Sequence, residues 1–111
     1  MTDHLLNIIK EAVEEKKAIE PVVMDLIGVS GVTDYFLVCS GRTTVQVRSI
    51  ADNITDKIRD AGLPAPAKEG YQEGRWVLLD FGNTVVHVMH EEERGFYALE
   101  NLWHDAKIYR D

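Results

Sequence analysis

Apolar positions recur along this chain at two periods, and the switches between them mark out its elements. Leu5, Ile8, Ile9, Ala12 and Val13 repeat at helical spacing, with Glu11, Glu14, Glu15, Lys16 and Lys17 on the opposite side. That pattern predicts an amphipathic helix over 2–18, capped by Thr2 or Asp3. Pro21 blocks a further helical turn, and Val22 to Leu26 reads as a short strand. After the turn residues Gly28 to Gly31, the nearly continuous apolar run Tyr35 to Cys39 has the pattern of a strand covered on both faces. Ser40-Gly41 ends it. Thr43 and Gln46 then stand at capping-box spacing before the stripe Val47, Ile50, Ala51, Ile54 and Ile58, which stops at Gly62 and Pro64.

Residues 64–74 are rich in proline and glycine, with room for a short edge strand at 67–69. Trp76 to Phe81, the turn Gly82-Asn83, and Val85 to His90 predict an antiparallel hairpin. A last amphipathic helix, from about Glu92 to Trp103, places Phe96, Leu99 and Trp103 on one stripe. The order α-β-β-α-β-β-β-α predicts a single two-layer α/β domain, 1–111, with a mixed five-stranded sheet and flanking helices. At 111 residues, 45% apolar and 28% charged, the chain suits one globular domain with a core of its own. A single cysteine excludes an internal disulfide, and no apolar run approaches the ~18 residues of a membrane helix. No secretory leader pattern is visible, so a cytoplasmic location is expected. The net charge of −7 argues against attachment to nucleic acid by bulk charge and favours a basic partner.

The hairpin is more informative than the helices. Alternation puts Val77, Leu79, Val86 and Val88 on one face, under the helices. The other face gathers Trp76, Leu78 and Asp80 from one strand with Val85, His87 and Met89 from the other. Two readings stand. A third element covers this face and makes Trp76 and Met89 ordinary core, or the face is open and binds a partner. Glu91, Glu92 and Glu93 follow directly, either as an acidic rim or as the solvated start of a helix whose dipole favours carboxylates.

Catalytic signals are weak. Asp80-Phe81-Gly82 copies a kinase tripeptide, but the other kinase segments have no counterpart in 111 residues. His87 and His90 are three apart on a strand, face opposite sides, and cannot share a metal, so each is expected to be structural. Cys39, inside an apolar strand, is expected to behave as a small hydrophobe. Ser40, Gly41 and Arg42 before a capped helix have the form of an anion cradle, as nucleotidyltransferases use for a triphosphate. Those enzymes need clustered carboxylates for divalent metals, whereas the strands that follow this turn offer Asp80 alone. No cofactor, no metal and no enzymatic activity are expected; a nucleotide-binding protein using Ser40-Gly41 is the alternative.

Several blocks resemble one known family. They are Thr33 to Gly41, Ser49 to Asp52, Lys68 to Gly70, Trp76 to Gly82, Val85 to Met89, and the closing Glu92 to Arg94, Phe96-Tyr97, Leu99-Glu100 and Leu102-Trp103. In this order they are similar to the ribosomal silencing factor family, RsfS or Iojap, from about Leu5 to Trp103. Asn83 departs from it, since members often carry Asp there, and either residue tolerates the turn. The resemblance implies a nucleotidyltransferase-like fold without catalytic carboxylates. It also implies attachment to the large ribosomal subunit through its fourteenth protein, so that the small subunit is kept off and translation is repressed. Self-association into a homodimer is a further implication. With strand parity, the expected contact set is Trp76 as anchor, Leu78, Asp80, His87 and Met89, with Glu92 and Tyr97 on the rim.

Overall fold

The computed structural model describes residues 4–29, 31, 33–97 and 107–109, without the side chains of residues 96 and 97. The elements run α1 (His4–Glu15), β1 (Ile19–Asp25), β2 (Tyr35–Gly41), α2 (Thr44–Asp60), β3 (Ala67–Glu69), β4 (Trp76–Asp80), β5 (Thr84–His90), α3 (Glu91–Tyr97) and β6 (Lys107–Tyr109). They build one mixed sheet in the order β3-β4-β5-β2-β1-β6. All neighbours are antiparallel except β2 and β5, whose parallel pairing requires the chain to cross over through α2. The sheet has six strands, not the expected five. The additional strand, β6, is three residues long, too short to show a period, and pairs Ile108 with Met24.

Both principal helices end in Schellman geometry, by different means. In α2, Gly62 takes φ +75, its N–H donates to Arg59 O, and Leu63 N donates to Ile58 O. In α1 the same bonds run from Lys17 to Glu14 O and from Ala18 to Val13 O, with Lys17 itself at φ +56. The first helix therefore stops at Glu15, short of the expected residue 18, and no glycine marks the end. The first strand starts earlier than expected, at Ile19. Pro21 is tolerated inside it because the register with β2 shifts between Ile19 and Val22, where Glu20 adopts φ +44.

The start of α2 follows its sequence signature. Thr43 Oγ1 accepts from Gln46 N at 3.0 Å, and Gln46 Oε1 accepts from Arg42 N at 2.8 Å. One face of the sheet, carrying Val23, Leu37, Cys39, Val77, Leu79, Val86 and Val88, packs under α1 and α2 in a continuous buried core. α3 caps the ends of β5 and β2. Its side chain Arg94 is 9% exposed and donates to Ile19 O at 2.9 Å and to Ser40 Oγ at 3.3 Å. The expected continuation of this helix to Trp103, with Leu99 and Trp103, lies outside the described residues.

Candidate partner-binding face

Pairing across the hairpin is continuous from Trp76↔Met89 to Asp80↔Val85, with no bulge to disturb the parity. At the turn, Gly82 takes φ +93 and Phe81 N donates to Thr84 O at 2.8 Å, a two-residue loop of the primed kind. The second face of the sheet is thereby fixed row by row. Leu78 stands beside His87, Val38 and Val22, while Asp80 stands beside Val85, Phe36, Met24 and Ile108.

Burial divides this face in two. Val22, Met24, Leu26, Val38 and Met89 form a second buried cluster, with Phe36 and Trp76 packed half-buried against it. Of the residues expected to touch a partner, Met89 is 0% exposed and His87 5%. That corrects their expected place. The strand order β5-β2-β1 sets apolar neighbours beside them, so they lie behind the surface rather than on it. Trp76 and Leu78 are half-buried, and Asp80 and Glu92 are exposed. The side chain of Tyr97 lies outside the described residues.

The backbone of Trp76 is tightly set. Gly70, at φ +78, lies so close that a Cβ there would stand 2.1 Å from the Trp76 carbonyl oxygen, so only glycine fits. The loop between them is tied to α2: Arg48 Nη1 donates to Gln72 O at 3.2 Å, and Tyr71 Oη–H donates to Asp52 Oδ2 at 2.9 Å. Arg75 O accepts from His90 N at 2.8 Å. The indole Nε1–H of Trp76 donates to His87 Nδ1 at 3.0 Å. Phe36 meets the His87 ring edge-on, with centroids 4.5 Å apart. Burial lowers the His87 pKa to about 4, so the imidazole is neutral at pH 7.

An ionic rim adjoins Trp76. The Arg75 guanidinium bonds both Glu92, at 2.8 Å, and Glu93, and these bonds lower the Glu92 pKa and raise that of Arg75. Ligand atoms of His90, Glu92 and Glu93 lie within 4.8 Å of one another, as metal ligands would. However, Arg75 already supplies a positive charge between the carboxylates, and His90 Nδ1 accepts from Glu92 N at 3.2 Å. The donor set fits a structural ion pair better than a metal. Two residues of this site, Arg75 and Phe36, carry little signal in the sequence. Phe36 was visible only as part of an apolar run, and Arg75 as an isolated charge in a loop.

The anion cradle considered at Ser40-Gly41-Arg42 is engaged internally. Ser40 is 2% exposed, its hydroxyl donating to Ile19 O and accepting from Arg94. Gly41 sits where a Cβ would meet Val47 N at 3.2 Å, and the Arg42 N–H is taken by Gln46. Cys39 is fully buried, and burial pushes its thiol pKa up to about 12.

Comparison with known proteins is consistent across sequence and fold. The family described as "Ribosomal silencing factor during starvation" matches residues 1–111. A ribosomal silencing factor RsfS of Bacillus subtilis is 43% identical over 104 residues, covering 94% of this chain and 88% of that protein. One from Haemophilus influenzae is 32% identical over 99 residues, covering 89% and 97%. A crystal structure from Chromobacterium violaceum superposes with a TM-score of 0.86 at 31% identity, covering 89% of this chain and 82% of that one. One from Bacillus halodurans gives 0.81 at 41%, covering 89% and 92%. With the family matched along the whole chain and a relative at 43% identity over 94% of it, the chain belongs to the ribosomal silencing factor family.

Proposed function

We propose that this protein represses translation by docking on the large ribosomal subunit, through that subunit's fourteenth protein, and excluding the small subunit. The observation that carries the reading is the half-buried band of Trp76, Leu78, Phe36 and Val85, bordered by Asp80, Glu91 and Glu92. A rigid aromatic anchor with an acidic border suits a basic protein surface, and the net charge of −7 steers the approach. Trp76 is the anchor, and Leu78, Asp80 and Glu92 touch the partner. His87 and Met89 support them from behind. Tyr97 joins the rim on its place in the sequence alone.

The action is steric: no bond is made or broken, and no cofactor or metal takes part. The protein acts in the cytoplasm, where ribosomal subunits are. Among the described residues no helix is long and apolar enough to cross a membrane. A nucleotidyltransferase-like fold without catalytic carboxylates is part of the same proposal, and the lack of a two-metal site is supported by Asp80 standing opposite Val85 rather than a second carboxylate. When free, the protein pairs with a second copy through the same band, and ribosomal partner displaces that copy.

Sucrose-gradient sedimentation with separated subunits tests the reading. The protein should travel with the large subunit and reduce the yield of rejoined ribosomes. Trp76→Ala should weaken both by roughly 30-fold or more, the loss of a central tryptophan anchor. A folded Trp76→Ala protein that binds as tightly as the original overturns the anchor, and absence of the protein from the large-subunit fraction overturns the function.

A further inference from the structure

A buried histidine in an apolar row is a local exception that calls for a reason. His87 is 5% exposed and stands between Leu78 and Val38, with Phe36 against its ring. An indole nitrogen can only donate, so the bond from Trp76 Nε1 at 3.0 Å makes His87 Nδ1 an acceptor and places the ring proton on Nε2. That Nε2–H is buried without a hydrogen-bond partner among the described residues. An orphaned buried donor is unfavourable, and leucine or valine, as in the same row, would avoid it. What the histidine offers in return is the acceptor at Nδ1.

Trp76 needs such an acceptor. Its backbone is held by the close approach of Gly70 and by pairing with Met89, and its ring packs half-buried against the cluster of Val22, Met24, Leu26, Val38 and Met89, where the polar Nε1–H must be satisfied. We infer that His87 is a positioning residue: its Nδ1 holds the half-buried Trp76 indole in the orientation that meets the partner. This rests on the docking role of Trp76 proposed above. The ring itself makes no contact with the partner, being inside the sheet face. It acts through the anchor, by removing rotamers that would have to be frozen on binding.

Two variants separate this from simple packing. In His87→Asn the amide oxygen falls where Nδ1 stands and preserves the acceptor, whereas His87→Leu fills the space without one. The readouts are the ring nitrogen shifts of His87, the indole N–H resonance of Trp76 (assigned with Trp76→Phe), and cosedimentation with large subunits. The expected results are a neutral wild-type ring protonated on Nε2, and an indole resonance that moves in His87→Leu and stays in His87→Asn. Affinity should fall roughly five- to tenfold in His87→Leu, the loss of one neutral hydrogen bond, and recover in His87→Asn. A wild-type ring protonated on Nδ1 overturns the inference even if neither variant folds, as does an unchanged indole resonance and affinity in folded His87→Leu. If the resonances behave as expected while the wild-type protein ignores large subunits, the docking reading fails and the hold of His87 on Trp76 stands.

Discussion

The two faces of the sheet are made by the same strands and differ in composition and burial. On one, Val77, Leu79, Val86 and Val88 lie under α1 and α2, fully buried and wholly apolar. On the other, the neighbouring residues Trp76, Leu78, Asp80, His87 and Met89 mix apolar, aromatic, acidic and imidazole groups, and their burial runs from 0% at Met89 to exposed at Asp80. A shift of one residue along a strand moves a side chain from the face that secures the fold to the face proposed to meet a partner. The graded face has a buried base, built with Val22, Met24 and Val38, and a partly solvated band above it. The base allows Trp76 to be presented without a large apolar patch in water.

Adjacent leucines provide the sharpest contrast. Leu79→Ala, in the helix-covered face, should cost about 2–5 kcal/mol of stability by leaving a cavity, seen in denaturant or thermal melts. Leu78→Ala, one residue away and half-buried, should cost about 1 kcal/mol of stability yet weaken binding to large subunits. Equal stability losses would erase the distinction between the faces.

Acid tests the mixed face by itself. The His87 pKa is lowered from 6.5 to about 4 by burial, so between these values the unfolded chain takes up a proton that the folded protein does not. Stability from this group is complete above about pH 6.5 and falls as pH drops toward 4, by about 3 kcal/mol at most. Comparing melts of the native protein and His87→Leu over pH 4–7 isolates it from the carboxylates. The smallest expected effect is none: calorimetry with a nucleoside triphosphate and magnesium should show no heat, because the Ser40 hydroxyl and the Arg42 N–H already have partners. Measurable heat would reopen the Ser40-Gly41 turn as a ligand site.

Elements with a local signature were legible in the sequence. The capping pair Thr43 and Gln46, the stop at Gly62 and the turn at Gly82-Asn83 each depend on residues within a few positions, and all appear where expected. Parity in the hairpin was readable because a tight turn fixes the register and no bulge follows. The end of α1 was not, since Lys17 takes the left-handed position usually left to glycine while the polar pattern continues past it. The burial of Met89 and His87 was beyond local pattern as well. It depends on β2 lying next to β5, with β1 beyond it, an arrangement that joins segments about fifty residues apart in the chain. For the same reason the proposed docking band was only half visible. Trp76 and Leu78 announced themselves by alternation, whereas Phe36 joins them only through the parallel pairing of β2 with β5.

The burial of Cys39 makes the molecule its own recorder of opening events. The thiol is the single one in the chain, is 0% exposed, and has its pKa raised to about 12, so an alkylating reagent in solution finds no target in the closed protein. Labelling must wait until β2 parts from the helices above it, and its rate counts how often that happens. A cysteine introduced at an exposed position such as Asp80 would carry a dye with no competing site. The slow native thiol and the fast introduced one would then follow unfolding and docking in the same sample.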